Sequence, residues 1–436
     1  MLYSMTANIS SKKNCFLFAL MALTVNTLFR NYVVFCCIIQ FLAFIWCTYF
    51  VLTDHHKHRY QVISSAICLI ILIVYSSKGL FVRSWTFFLK AYCLFDFVQY
   101  FDDNQTENIL TDYAKVTLFS TIAILGVTLF ANIFQENLSY LPSFFEPIQT
   151  NISESVLYEN IDRYCGFLGH PNQTAMFFCI SIMASAYLLK IKGYRIISAA
   201  VILISAYFIM IAKSRGSILT AMLFFMLFPI FFTFISYSSY SASAKRIINI
   251  TIAVILVLLI VLGATLLISP KAFALMAEIF RFEIPEEPSV ANKLSAILSS
   301  FVHGSGRDSL IDAEYDVFRQ SPFTGAEYNE LLESSGGLLV HNGFLFMLFL
   351  LGIPAFIVMM ILLMVMSIIP AFRCMIHRRQ YSSEERFQIS FSIAALTACL
   401  FYNFFENAIG PLGNDPFSML FLLSSGVLYR ISHKAV

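Results

Sequence analysis

Three residues of this chain are placed where they could do chemistry. His341 opens an apolar run in LLVHNGFLFMLFLLGIP, Arg215 sits in the very short turn AKSRGS between two apolar helices, and Arg307 lies in the polar stretch GSGRDS. A neutral imidazole is the usual general base near neutral pH. A guanidinium offers a planar fork that grips two phosphate oxygens at once, a geometry an ammonium cannot reproduce. Two of them also have a plainer reading: His341 as an interfacial histidine satisfied by its surroundings, and Arg215 as a side chain that snorkels to lipid headgroups.

Around these three stand weaker candidates. DRYCGFLGHPNQTA, at 162–175, contributes Arg163, Gly166, His170 and Asn172; Asn342 follows His341; Arg281 opens RFEIPEEP; His303 precedes GSGRDS. The carboxylates form no persuasive acid–base pair, since Asp102 and Asp103 fall in a polar loop and Glu286 and Glu287 in an acidic turn. His55, His56 and His58 make a histidine cluster, but they lack acidic or cysteine partners at ligand spacing and read as a solvated basic loop. No metal site is expected. Neither a phosphate-binding glycine loop, a dinucleotide fingerprint nor a zinc-protease motif occurs, so nothing points to a nucleotide as energy source.

The elements that must position these residues are membrane helices. Of the 436 residues, 58% are hydrophobic and only 12% charged, with a mean hydropathy of +0.76, against roughly 25% charged in soluble domains. Apolar runs predict about twelve spans, near 15–30, 32–52, 61–77, 79–99, 115–134, 172–190, 195–212, 216–236, 247–269, 340–368, 388–405 and 416–430. The fourth carries Arg83, Lys90 and Asp96 inside it. Lys12 and Lys13 precede the first run, but no small-residue cleavage site follows, so it reads as a retained span rather than a signal peptide.

Basic loops fix the expected orientation. HHKHRY, KIKGYR, AKRI, RCMIHRRQYSSEER and YRISHK all fall on one side, which makes that side cytoplasmic and leaves both termini there. Residues 135–171 and about 270–339 then lie outside. The turn carrying Lys213 and Arg215 lies outside too, against the positive-inside tendency, as if something there favours positive charge. In the larger outer loop LIDAEYDVF repeats Ile311, Tyr315 and Phe318 at helical spacing, a short amphipathic helix suited to lie on the bilayer or the bundle. Most of the ten cysteines fall in apolar runs and read as small core residues. A net charge of +2 implies no nucleic-acid partner.

The expected fold is thus an all-α polytopic integral membrane protein of about twelve transmembrane helices with a large external loop of short amphipathic helices. It divides into N-terminal helices (1–134), central helices bearing the GHPN and SRG segments (135–269), the loop (270–339) and C-terminal helices (340–436).

Taken together, GHPNQTA, SRG, the GR of GSGRDS, SPFTG and HNGFL ending in GIP resemble, in order and spacing over about residues 160–370, the bacterial O-antigen polymerases and O-antigen ligases. The chain departs from that pattern where TGAEYNELLESSGG replaces a glycine-rich stretch, and where no acidic residue follows the HN helix start. The resemblance implies a metal- and cofactor-independent glycosyltransferase of the bacterial inner membrane with its site facing the periplasm. Its donor would be a glycan on undecaprenyl diphosphate, and its partners membrane lipid and a chain-length regulator protein.

On this resemblance His341 is the base, and Arg215 and Arg307 hold the diphosphate. Arg163, His170, Asn172, Arg281 and Asn342 bind substrate or shape the loop over it. A polymerase is favoured over a ligase acting on lipid A core. A transporter or flippase is less favoured, because its ionisable residues would be expected near the bilayer midplane.

Overall fold

The computed structural model describes residues 12–24, 33–54, 58–78, 80–101, 103–133, 171–237, 307–336, 341–407, 409 and 415–434, with shorter pieces between 240 and 296. Every regular element among these residues is helical. The chain opens with α1 (12–24), α2 (Val33–Thr53), α3 (Arg59–Ser76) and α4 (Phe81–Ala91), the last running on through a π turn at Tyr92–Asp96 and a 3-10 turn at Phe97–Tyr100. Then come α5 (Asp103–Ile133), α6 (Pro171–Leu188), α7 (Arg195–Ile211) and α8 (Arg215–Ser236). Three short helices follow, α9 (Pro270–Phe280), α10 (Arg307–Phe318) and α11 (Tyr328–Ser334). α12 (Gly343–Leu363) passes through a π turn at Met364–Ile368 into α13 (Ile369–Ile376), and α14 (Ser383–Tyr402) and α15 (Asp415–Lys434) complete the described chain.

Among the described residues, five stretches are long and apolar enough to cross a membrane: Arg59–Ser76, Ile109–Gly126, Lys192–Ile211, Arg215–Ser236 and Gly343–Ile376. This supports a membrane protein and falls short of the twelve spans expected. The difference has a physical side. α6 and α15 are 18 and 20 residues long, but they are enclosed by other helices and carry buried Ser181, Ser185, Ser418, Ser424 and Ser425. A helix that faces protein needs small residues for close packing rather than maximal hydropathy. α6 packs against α5, α7 and α8, while α14 joins α8 to α15. The run expected at 247–269 lies almost wholly outside the described residues.

The charged fourth run folds as a continuous helical stretch, and two of its charges, at Lys90 and Asp96, turn inward. Lys90 and Asp96 are buried. Asp96 accepts from Ser64 and, at 2.9 Å, from Ser65, tying the π turn to α3. Beside it Gln61 Nε2 donates to the Gln99 carbonyl at 2.9 Å, Gln99 Nε2 to the Gly426 carbonyl at 3.0 Å, and Arg430 Nη1 to the Gln99 carbonyl at 2.7 Å. Gly426 permits the approach of α15, because a Cβ there would stand 2.7 Å from the Leu94 carbonyl oxygen. Asp103 begins α5 instead of lying in a loop as the sequence suggests; Asp102 lies outside the described residues.

Gly343–Ile376 is 34 residues long, about 50 Å as one helix against a hydrocarbon core of ~30 Å. The excess is resolved by a break at Gly352, whose φ of 77° and ψ of 166° are open only to glycine. The stretch SPFTGA docks into the break. Ala326 N donates to the Phe349 carbonyl at 2.9 Å, and Ile353 N to the Pro322 carbonyl at 2.9 Å. Gly325, at φ 73°, allows the contact, since a Cβ there would meet the Leu350 carbonyl oxygen at 2.3 Å. Lys78 donates to the Thr324 carbonyl in the same joint. Partial burial lowers the Lys78 ammonium's pKa, and nearby Glu327 opposes that shift.

α10 is the amphipathic helix expected from LIDAEYDVF: Ile311 and Phe318 pack on the bundle, Phe318 5.3 Å from Phe349 between ring centres, while Tyr315 is half exposed. The described cysteines are free, most of them buried. Cys47 Sγ lies 3.7 Å from Cys15 and 3.8 Å from Cys93, as packed thiols.

Candidate functional site

Four local structures bring polar side chains to one end of the bundle. Pro171 opens α6, where its missing N–H costs nothing and its fixed φ suits a first turn, and this leaves Asn172 in that turn. Between α7 and α8 the chain reverses in Ala212–Ser214, with Lys213 in the left-handed region at φ 48° and Ser214 extended at the N-cap, so that Arg215 is the first residue of α8. Asn342 caps α12, its Oδ1 accepting from Phe344 N at 3.0 Å and Leu345 N at 3.1 Å. That is a strong N-cap arrangement, and it holds His341 one residue outside the helix.

The fourth structure is the turn after α14, YNFFEN. Asn403 N donates to the Cys399 carbonyl and Glu406 N to the Tyr402 carbonyl, both at 3.1 Å, so the turn is wound onto the end of the helix. Asn403 then staples it to its neighbours. Its carbonyl accepts from Gly343 N at 2.8 Å, and its Oδ1 accepts from Ile409 N at 3.0 Å. Gly343 must be small here, because a Cβ would stand 2.2 Å from Asn403 Oδ1. Gly216 of the SRG turn lies against the same segment, with a Cβ position 3.1 Å from both Phe405 and Tyr402.

Glu406 is the centre of the arrangement. Its Oε1 accepts from Asn172 Nδ2 at 2.7 Å, and its Oε2 lies 2.9 Å from His341 Nδ1. The Glu406 side chain is 12% exposed and that of His341 34%. A mostly buried carboxylate therefore joins the GHPN segment to the HNG segment, while the imidazole keeps an open side. An ionised carboxylate only accepts, so the nitrogen facing it carries the proton. The N-termini of α6, α8 and α12 meet at this end, and their dipoles favour an anionic group.

Of the residues singled out in the sequence, His341, Asn172, Asn342 and the Arg215–Gly216 turn come together here. Arg307 begins α10. Arg163, His170, Arg281 and His303 lie outside the described residues, as do His55 and His56. His58 precedes α3, its ring stacked on Tyr60, which in turn stacks on His433. Glu327 caps α11 and its N–H donates to Glu330 Oε2 at 3.2 Å. No grouping of three or more His, Cys, Asp or Glu that would suit a metal occurs among the described residues.

No motif in the sequence marks Glu406 as part of the site. It stands 65 positions from His341 and 234 from Asn172, in a segment with no motif. The one available signal was a carboxylate at the end of an apolar run on the same expected face. Compared with known proteins, the chain matches no family model, no curated protein and no solved structure.

Proposed function

We propose that this protein is a membrane glycosyltransferase that polymerises lipid-linked glycan repeat units, moving a glycan from undecaprenyl diphosphate to a sugar hydroxyl at the outer face of the bacterial inner membrane. The observation that carries the reading is the meeting of His341, Asn172 and the Arg215–Gly216 turn around one end of the bundle, although these residues come from three separate segments. The motif resemblance requires such a meeting. A scatter of the same motifs over both ends would have removed its basis.

The chemistry follows from the groups present. His341 takes the proton from the acceptor hydroxyl. The oxygen forms a bond to the anomeric carbon as the bond from that carbon to the diphosphate breaks, and the electron pair leaves on the lipid diphosphate. Arg215 and Arg307 hold the departing charge, with the helix N-termini adding to their field. A single displacement inverts the anomeric centre. The lipid diphosphate is a good leaving group, so the step needs neither nucleotide nor metal.

The broken helix at Gly352 raises the transporter reading, since discontinuous helices build substrate sites in many transporters. Such a site uses the freed backbone groups for its ligand. Here the Phe349 carbonyl and Ile353 N–H are taken by Ala326 and Pro322, which favours a structural joint.

Deletion of the gene followed by gel analysis of lipopolysaccharide tests the proposal. A polymerase deletion leaves a single repeat unit on the core. Loss of every repeat unit would make the protein a ligase, and an unchanged ladder would reject both.

A further inference from the structure

The motif resemblance assigns Asn172 and His341 to substrate, but in the structure both contact a carboxylate. We infer that Glu406 is a positioning residue that sets the tautomer of His341, and that Asn172 holds Glu406 in place rather than binding glycan. The inference rests on the glycan-transfer reading for its catalytic part, and on geometry alone for its tautomer part.

Glu406 Oε2 lies 2.9 Å from His341 Nδ1. With the proton on Nδ1, the lone pair of the neutral ring is on Nε2, which becomes the atom able to take a proton. Without the carboxylate the Nδ1–H tautomer loses the acceptor that favours it, and the opposite tautomer takes the basic nitrogen from its position. Glu406 is itself prevented from turning. Its backbone is wound onto the end of α14, and Oε1 accepts from Asn172 at 2.7 Å. Three helices, α6, α12 and α14, thus fix one ring.

In the reaction the acceptor hydroxyl's proton passes to Nε2 as the new glycosidic bond forms and the bond to the lipid diphosphate breaks. The imidazolium that results stands beside Glu406, whose charge stabilises it. The proton then leaves from Nε2 to water, restoring the neutral ring. Arrangements that orient a base in this way act through it, so their loss lowers the rate of the chemical step and leaves substrate binding nearly untouched.

The test uses the full-length protein in detergent micelles with lipid-linked repeat unit extracted from the deletion strain. Glu406→Gln keeps the size of the side chain and removes the charge. It is expected to lower kcat roughly 10- to 100-fold, with KM for the donor within about twofold. In a His341→Gln background the same change is expected to cost nothing further, because a positioning residue has no base left to position. A parental kcat in Glu406→Gln, or an equal loss in both backgrounds, overturns the inference.

Nitrogen-15 NMR of histidine-labelled protein gives a readout independent of activity. His341→Gln identifies the His341 signal by its disappearance. That signal is expected to show protonation on Nδ1 in the parent and to lose it in Glu406→Gln. Protonation on Nε2 in the parent, or a signal that Glu406→Gln leaves unchanged, overturns it. If the parent shows the Nδ1 tautomer but makes no polymer from donor, the glycan-transfer reading fails while the positioning of His341 stands.

Discussion

Asp96 and Glu406 are two of the described carboxylates that tie helices together, and they do so in different surroundings. Asp96, in the π turn after α4, accepts from the hydroxyls of Ser64 and Ser65 and is fully enclosed. Glu406 accepts from the amide of Asn172 and faces the imidazole of His341, whose side chain is one-third exposed. Hydroxyls rotate but do not change charge near neutral pH, whereas an imidazole does. The first site has what a joint needs. The second has a joint on one side and a group able to move a proton on the other.

The largest effect expected from this contrast is at His341. His341→Gln keeps approximate size and hydrogen bonding but cannot take up a proton at neutral pH, so turnover should fall by roughly 10²-fold or more. Insertion and donor binding should match the parent, measured by gel filtration in detergent and by retention of labelled donor. Near-parental turnover would make His341 structural and send the search for a base to Glu327 or His303.

Arg215 comes next. Arg215→Lys keeps the charge and loses the fork, and Arg215→Ala loses both, so turnover should fall about 10-fold for Lys and further for Ala. If both variants assemble glycan at the parental rate in membranes of equal protein content, the residue does no more than snorkel. That result would remove the phosphate from this end of the molecule.

A pair of glycines distinguishes the two regions by geometry. Gly343→Ala would press on Asn403, whose Oδ1 lies 2.2 Å from the new Cβ, and so displace the turn that carries Glu406. Gly426→Ala would press on the Leu94 carbonyl at 2.7 Å, beside Asp96. The first should reduce turnover several-fold with a small change in Tm, since the strained atoms lie at a helix end. The second should lower Tm and leave the turnover of folded protein unchanged. Equal effects on turnover would mean that the bundle transmits strain between its regions and that the contrast is one of degree.

What the sequence reveals of these regions follows from how local the signals are. The helix start at HNG is legible because the apolar run begins there, whereas the use of Asn342 as its cap, in place of the substrate role expected of it, shows only in the fold. The helix over LIDAEYDVF is legible from its 3.6-residue repeat, although its start at Arg307 is not. Glu406 is not, because its partners are distant in the chain and a lone carboxylate at a helix end has many ordinary uses. The fourth apolar run, expected as a span, is not among the five described stretches suited to cross a membrane. Arg83, Lys90 and Asp96 lower its apparent suitability as a span, yet the described Lys90 and Asp96 are both buried in protein, and burial against protein is invisible to hydropathy. The break at Gly352 is not legible in the single run expected over 340–368, and only the fold reveals that SPFTGA fills it.

Asp96→Asn should have the smallest effect on chemistry, and it tests whether enclosure alone makes a carboxylate structural. Asparagine is nearly the same size and keeps one acceptor oxygen, which can still receive the hydrogen bond from Ser64. The other position becomes an amide, which donates. Ser65 must then turn its hydroxyl to accept, and it has the freedom to do so because its Oγ also lies 3.2 Å from the Gln61 carbonyl and can donate there. A rearranged but satisfied pair costs about 1 kcal/mol, against more for a buried group left without a partner. The expected result is a Tm lower by a few degrees, with turnover per folded molecule equal to that of the parent. A normal Tm with turnover reduced 10-fold would reverse the assignment, since it would place a proton or cation step at Asp96 and make the enclosed carboxylate the functional one.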